Sequence, residues 1–358
     1  MKLILTGGFL GSGKTTAINN ACAQLIKENR KVAVITNDQG EQQVDSAYIN
    51  SFGIPLREVA NSCFCCNYTL LDKHIQTLFE EEQPELMFAE AVGSCTDLVS
   101  TIAKPFAQFR PNYEVVISVF ADASLLLQLL EGKLSFIKES IRYIFKKQLE
   151  EADILILNKV DLITAEQRAF IDSIIYNEYP DKIILHQNPL LEADIKNWLE
   201  TILQFKATST RRSLDIDYDL YGEGEAQLAW LDKKISIHSY NHNAIQIADR
   251  IARDIHNTIL QHQLAIGHLK YFMESKKWKK KMSATMTHND FNLVASDEPS
   301  DYCNMLINAR VQTDPSLLRE LAYGVIQNIM KEFSCKIIIE KSSSFIPAYP
   351  RPTHRFVG

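Results

Sequence analysis

Gly8-Phe9-Leu10-Gly11-Ser12-Gly13-Lys14-Thr15 fits the pattern G-x-x-x-x-G-K-[ST] at every position. It follows an apolar run, Leu3-Ile4-Leu5, and precedes a segment of helical character at residues 16–29. A strand, a glycine loop and a helix in that order make the pattern a phosphate-binding loop. Gly8, Gly11 and Gly13 let the backbone curl so that successive N–H groups, that of Ser12 included, face a phosphate chain. The start of the helix, at Thr15 and Thr16, adds partial positive charge. Lys14 is expected on the outer phosphates and the Thr15 hydroxyl on Mg2+. An ordinary glycine-rich turn would leave both flanks unexplained.

Working outward, residues 31–36 (KVAVIT), 85–89 (ELMFA), 114–120 (EVVISVF), 153–157 (DILIL) and 182–185 (KIIL) are short continuous apolar runs. Helical stretches, among them 124–149 and 165–176, lie between most of them. This alternation predicts an α/β fold, a P-loop NTPase parallel sheet with helices on both faces, over residues 1–205. Ligands of such a sheet bind at the carboxyl ends of its strands. Residues 206–230 lose periodicity and read as a linker. A smaller C-terminal α+β domain is expected over 231–346. Its strands are placed at 234–239, 282–287, 291–295, 302–311 and 335–340. Its helices are placed at 244–264 and from Asp314-Pro315 to residue 333, where Asp caps and Pro suits the first turn. The tail, 347–358, is Pro-rich and expected to be mobile.

The chain has 358 residues, a hydrophobic fraction of 46% and a charged fraction of 23%, values of a soluble globular protein. A net charge of −6 argues against broad nucleic-acid binding. No apolar run is long enough to span a membrane. The first residues flow straight into the glycine loop and read as strand one, not as a signal peptide. Three of the seven cysteines fall within four positions, a pattern of metal binding more than of disulfides. A reducing compartment, the cytoplasm, is expected.

Four further segments carry chemistry. Asn158-Lys159-Val160-Asp161 ends the 153–157 strand. A carboxylate there can accept from N1–H and the 2-amino group of guanine, donors that adenine lacks, so Asp161 selects GTP. Asn158 and the Lys159 stem would hold the base from its other edge and face. Glu90-Ala91-Val92-Gly93 ends the 85–89 strand. Glu90 there can hold Mg2+, and the Gly93 N–H can register the γ-phosphate. Asp38 and Asp45, after the second strand, are further candidates for a loop that closes over Mg2+. They are also ordinary turn residues. Cys63-Phe64-Cys65-Cys66 supplies three thiolates, ligands for Zn2+ or Co2+. In an extended chain Cys63 and Cys65 share a face and Cys66 points away, whereas a turn brings Cys66 round. Redox chemistry and plain buried thiols are the competing readings. Cys95 reads as a core residue or an extra ligand. His238, His242, His256, His262 and His268 read as surface or core histidines more than as a second metal site. The basic run at 276–281 reads as a solvated strand or turn that protects a sheet edge, or as a docking patch for an acidic client.

These motifs in this order resemble the CobW-type branch of the CobW/HypB/UreG family of P-loop GTPases, metallochaperone-like proteins of the SIMIBI class. The resemblance rests on residues 7–16 (GGFLGSGKTT), 35–45 (ITNDQGEQQVD), 63–66 (CFCC), 90–93 (EAVG) and 158–161 (NKVD). It implies slow GTP hydrolysis with Mg2+, a transition metal at the cysteines, delivery to a client metalloenzyme, and dimerisation. Thr36 stands where some members supply a carboxylate to the metal, and Glu41 is a substitute. Asn61-Ser62 replaces a glycine before the first cysteine. The C-terminal domain has only Gly267-His268-Leu269-Lys270 as an echo of an R-x-K-G segment. Two readings stay open: a GTP-hydrolysing metallochaperone, and a GTP-gated switch guarding a corrinoid protein without a cargo metal. A small-molecule kinase would give residues 158–161 no purpose.

Overall fold

The computed structural model describes residues 1–40, 43–134, 138–207, 211–276, 278–291 and 298–357. They divide into two compact units: Met1–Gln39, Ile49–Gly224 and Tyr349–Gly358 in the first, Gly40–Tyr48 and Glu225–Ala348 in the second.

The first unit is built on seven parallel strands, β1 (Lys2–Gly7), β2 (Val32–Asn37), β3 (Leu56–Val59), β4 (Leu86–Glu90), β5 (Glu114–Asp122), β6 (Ile154–Asn158) and β7 (Ile183–Gln187). Their order is β3-β2-β4-β1-β5-β6-β7. Every residue of β2, β4 and β6 is buried, as a parallel strand covered on both faces requires. Ile4, Phe88, Phe120 and Ile156 form one core with Ile18, Leu25 and Trp198 of helices Lys14–Lys27 and Glu192–Gln204. The Trp198 ring stands 5.6 Å from Phe88 and 5.1 Å from Phe120, and its indole N–H donates to Ser118 Oγ at 3.2 Å. The alternate residues Leu3, Leu5, Ala89, Ile117 and Leu155 are equally buried, so the second face is covered too.

Three local expectations change. The helix expected at 124–149 is two helices, Ala123–Leu130 and Glu139–Glu151, because Gly132 turns the chain at φ 69°. Within 206–230 the helix Tyr218–Ala226 forms. The tail is held rather than mobile: Thr353 N–H donates to Cys65 O at 2.8 Å and Phe356 N–H to Ser100 O at 2.9 Å.

The second unit is an antiparallel sheet of β8 (Ala229–Ser239), β9 (Ile266–Ser275), β10 (Trp278–Ala284), β11 (Tyr302–Val311) and β12 (Cys335–Phe345), in the order β10-β9-β11-β8-β12. Helix Ala244–Gln261 buries Ile247, Ile251, Ile255 and Ile259 at helical spacing in one core with strand residues such as Ile235, Tyr271 and Ile307. Helix Pro315–Glu332 joins the same core and is capped by Asp314, which accepts from Ser316 N–H at 2.7 Å. The sequence did not suggest β9, whose glycine and two charged residues interrupt the apolar run. Of the strand expected at 291–295, Phe291 lies in a turn and 292–295 lie outside the described residues. The basic run falls on the edge strand β10 and is solvated only in part: Lys279 pairs with Glu274 at 3.2 Å, whereas Lys280 and Lys281, largely buried, pair with Asp249 at 3.8 Å and Asp45 at 2.8 Å. Lys277 lies outside the described residues.

A buried polar network seats residues 44–48 in this unit. Arg310, fully buried, donates to Asp232 Oδ1 at 2.8 Å and lies 3.8 Å from the Trp230 ring centroid. Asn308 Nδ2 donates to the same Asp232 oxygen at 2.8 Å, and Asn308 Oδ1 accepts from Val44 N–H at 2.8 Å. Tyr48 stands edge-on to Phe272. Removing one partner of a buried pair leaves an uncompensated charge. Arg310→Ala is therefore expected to cost about 3–5 kcal/mol of stability, read from denaturant unfolding followed by tryptophan fluorescence.

Candidate nucleotide and metal site

β1 ends at Gly7, and the glycine loop leads into helix Lys14–Lys27 at the carboxyl edge of the sheet. Gly13 has φ 89°, and a Cβ on it would fall 2.4 Å from Asn158 Nδ2. That close approach lets Asn158 Nδ2 donate to Ser12 O at 2.7 Å. Lys14 Nζ donates to Gly8 O at 2.6 Å and Phe9 O at 3.2 Å. Ser12 Oγ and Asn158 Oδ1 are buried without a hydrogen-bond partner among the described residues. The Ser12 hydroxyl can donate to a phosphate oxygen at the curled glycine loop, and the Asn158 amide oxygen can accept from a donor on a base or sugar. Thr16 follows, half-buried, in the first helical turn.

Glu90 closes β4 in register with Thr6 of β1 and Thr36 of β2. Its Oε1 accepts from Thr15 Oγ1 at 2.8 Å. A hydroxyl and a carboxylate side by side are hard oxygen donors of the kind Mg2+ takes. Gly93 backs directly onto the glycine loop, where a Cβ would meet Leu10 N and Cα at 3.0 Å. Lys14, Thr15, Glu90 and Gly93 are thus brought together.

Asn158 ends β6, and Lys159 turns the chain at φ 61°. Lys159 Nζ donates to Asp122 Oδ2 at 2.7 Å, while Asp122 Oδ1 caps helix Ala123–Leu130 by accepting from Ser124 and Leu125 N–H at 3.0 Å. Asp161 is exposed in the single turn Val160–Leu162. Sequence reading missed Asp122, whose signal was its place at the end of the 114–120 strand. It also missed Gln187, buried at the end of β7 in register with Asn158, with neither amide atom partnered among the described residues.

The two acidic candidates after β2 part company. Asp38 follows β2 directly, and its N–H donates to Val59 O at 3.2 Å. Asp45 belongs to the second unit, where its oxygens are taken by Lys270 Nζ at 2.5 Å and Lys281 Nζ at 2.8 Å instead of facing a metal. Burial pushes the Asp45 carboxyl up, but the two ammonium groups outweigh it and hold the acid well below its usual range. Lys270 comes from the 267–270 echo, so that segment does hold an anion, a carboxylate of its own chain. Glu41 lies outside the described residues.

The cysteines sit in a turn between β3 and helix Tyr68–Glu82, not in an extended segment. Cys66 N–H and Asn67 N–H both donate to Cys63 O, at 3.1 and 3.0 Å, which brings Cys66 round. The Cys63 and Cys65 sulfurs are 2.9 Å apart, those of Cys65 and Cys66 3.8 Å, and all three lie within 4.8 Å of one another. Zinc–sulfur bonds of about 2.3 Å place tetrahedral thiolates roughly 3.8 Å apart, a separation that Cys65 and Cys66 already have and to which Cys63 and Cys65 would have to open on binding one ion. The Cys95 thiol also hydrogen-bonds Cys65. Asn37, at the end of β2, pins the turn: its Nδ2 donates to Val59 O at 2.9 Å and Ser62 O at 2.5 Å, and its Oδ1 accepts from Phe64 N–H at 2.9 Å. Hydrogen bonds from Cys63, Cys66 and Cys95, then burial, push the Cys65 thiol well up. The Cys63 hydrogen bond, with burial adding, pushes Cys66 up to about 11. An ion must displace those protons to bind.

The segment after Gly93 is held from helix Glu139–Glu151. Gln148 Nε2 donates to Gly93 O at 3.1 Å and Cys95 O at 2.8 Å. Glu151 accepts from Thr96 Oγ1 at 2.9 Å, from Leu98 N–H at 3.0 Å and from Asp97 N–H. Burial pushes the Glu151 carboxyl up to about 8, and the Asp97 charge adds to it; the three donors pull the other way without offsetting it. Among the described residues, no helix is long and apolar enough to cross a membrane.

Residues 2–179 match the family model described as CobW/HypB/UreG, nucleotide-binding domain. The chain is 33% identical over 169 residues to the zinc chaperone YeiR of Escherichia coli (strain K12), covering 45% of this chain and 47% of that protein. It is 26% identical over 238 residues to the zinc-regulated GTPase metalloprotein activator 1 of Dictyostelium discoideum, covering 56% and 49%. The chain thus spans about half the length of the curated relatives it matches. Among solved structures, HypB from Helicobacter pylori in complex with nickel is similar at TM-score 0.43 and 14% identity, covering 58% of this chain and 91% of that one. The zinc-bound YjiA GTPase from E. coli is similar at TM-score 0.33 and 14% identity, covering 91% and 98%.

Glu151 sets a pH dependence. Its folded pKa of about 8 lies above the ordinary carboxyl value, so the folded state binds the extra proton between the two. Stability is then full below the ordinary value and falls as pH rises from about 5 to 8. Thermal unfolding across that interval is expected to show the decline, and Glu151→Gln to flatten it. The same variant is expected to lower baseline stability by about 1–3 kcal/mol, since one buried donor loses its acceptor.

Proposed function

We propose, from the premise that residues 2–179 belong to the CobW/HypB/UreG family of nucleotide-binding domains, that this chain is a GTP-hydrolysing metallochaperone with zinc as its cargo. The observation that carries the reading is the cluster of three cysteine sulfurs within 4.8 Å, pinned by Asn37 to the strand beside the one that ends in Glu90. The relatives named zinc chaperone support zinc over cobalt. Thiolate donors are compatible with both ions.

In this reading residues 8–16 hold the phosphates of GTP, with Lys14 exchanging its two loop carbonyls for phosphate oxygens. Thr15 and Glu90 hold Mg2+, which neutralises charge developing on the phosphates when bound. Asp161 takes the guanine N1–H and 2-amino donors. Gly93, against Leu10, is the point at which loss of the third phosphate is felt. Asn37 and Cys95 then carry that change to the sulfurs, one from the end of β2 and one from the segment after Gly93. The client is a metalloenzyme, and the second unit, which seats residues 44–48 on its own sheet, offers the surface that meets it. Zinc release costs the thiolates their charge compensation, so protons must return to them as the ion leaves.

Two measurements test this. Calorimetry with Mg2+ is expected to show GTP binding and no ATP binding, and Asp161→Ala is expected to weaken GTP by about a hundredfold, the cost of two charge-assisted hydrogen bonds. Purified protein is expected to carry about one zinc per chain, lost in Cys65→Ser/Cys66→Ser. Equal zinc in the two proteins would overturn the cargo assignment and favour a GTP-gated switch.

A further inference from the structure

The segment 349–357 runs along the cysteine turn. Arg351 N–H donates to Cys66 Sγ at 3.2 Å. Two residues on, Thr353 N–H donates to Cys65 O at 2.8 Å and Thr353 Oγ1 to Cys66 O at 3.0 Å. Pro350 and Pro352 bracket Arg351, so little backbone freedom is lost in aiming its N–H at sulfur. Beyond, the His354 ring stands edge-on to Tyr68, 5.0 Å away, at the start of the helix that follows the turn.

The same segment is anchored a second time, outside the turn. Arg355 Nε donates to Asp97 Oδ2 at 2.7 Å, an oxygen that also takes the Tyr218 hydroxyl at 2.8 Å. The guanidinium lies 5.4 Å from the Tyr218 ring centroid. Asp97 is fully buried at φ 65°, four residues after Gly93, and its backbone N–H is held by Glu151. One short stretch therefore touches a cysteine sulfur at one end and the segment following the phosphate-sensing glycine at the other.

We infer that residues 351–355 are a built part of the cysteine site: a strap in which the Arg351 N–H positions and stabilises the Cys66 sulfur, and the Arg355–Asp97 pair ties that contact to the segment after Gly93. The inference rests on the zinc reading above and adds what regulates that site. A donor aimed at a metal-bound thiolate tunes its basicity and holds it in place. With the strap seated, Cys66 is shielded and zinc leaves slowly. When the segment after Gly93 shifts, Arg355 loses its seat, the strap lifts, and Cys66 becomes free to pass the ion on.

The test uses the full chain in four variants. Arg351→Pro removes the N–H while keeping an extended backbone, and Arg351→Ala keeps the N–H. Arg355→Ala removes the anchor, and Arg355→Lys keeps a cation for Asp97. In reduced, metal-free protein, alkylation of Cys66 by iodoacetamide is followed by peptide mass spectrometry. Arg355→Ala, which frees the strap, is expected to react about fivefold faster than the parent chain, the factor for losing one ordinary hydrogen bond, whereas Arg351→Pro, which keeps the Thr353 and Arg355 anchors and removes the donor that favours the thiolate, is expected to react more slowly. Arg351→Ala and Arg355→Lys are expected to stay close to it. In zinc-loaded protein, transfer to a chromophoric chelator is expected to speed up by the same factor in Arg355→Ala. Equal alkylation rates in all five proteins would overturn the strap, as would equal transfer rates. Should the parent chain hold no zinc, the cargo assignment falls, and the alkylation rates alone decide whether the strap exists.

Discussion

The Thr15 hydroxyl reaches Glu90 because β4 lies between β1 and β2 with its last residue level with Thr6 and Thr36. In a parallel sheet that register is fixed by backbone hydrogen bonds on both sides, so the carboxylate cannot drift from the first helical turn. Everything else at this edge of the sheet is measured from there. Gly93 abuts Leu10 because it lies only three positions past Glu90. The cysteine turn hangs from Asn37, one residue past the Thr36 that flanks the same carboxylate.

Hard and soft donors are kept apart but adjacent. Oxygen atoms from Thr15 and Glu90 gather at the ends of β1 and β4, and sulfur atoms gather after β3. In the function proposed above, a divalent ion that prefers oxygen and one that prefers thiolate would be sorted by donor chemistry. The two donor groups are joined by short, buried connections: Asn37 on one side, and on the other the segment 93–98, held by Gln148 and Glu151.

The parts of the fold that were legible in the sequence are those whose signal is local. The glycine loop, the buried strands and the capped helix at Asp314 each carry their own periodicity or turn chemistry. β9 was not legible, because Gly267, His268 and Lys270 are tolerated only through pairing with β10 and β11 on either side. The place of Asp45 was not legible either. Its partners Lys270 and Lys281 lie more than two hundred residues away, and nothing in the turn-like sequence around it signals them. For the cysteines, the residue types were plain, but their convergence depends on two N–H groups folding onto Cys63 O, a turn that the tetrapeptide permits without dictating. The tail shows the limit of composition. Its prolines remove donors, yet the N–H groups of 351, 353 and 356 each find an acceptor in the first unit.

The excursion of residues 40–48 into the second unit, and the return of residue 349 to the first, mean that the polypeptide crosses between the two bodies four times. No single cut in the gene can yield both intact. A fragment ending at residue 224 would strand Asp45 without its lysines and lose the segment that lies over Cys66. A fragment spanning 225–348 would leave two ammonium groups facing one another with no carboxylate between them. Each body draws on more than one stretch of the chain, so neither is encoded by a single uninterrupted segment.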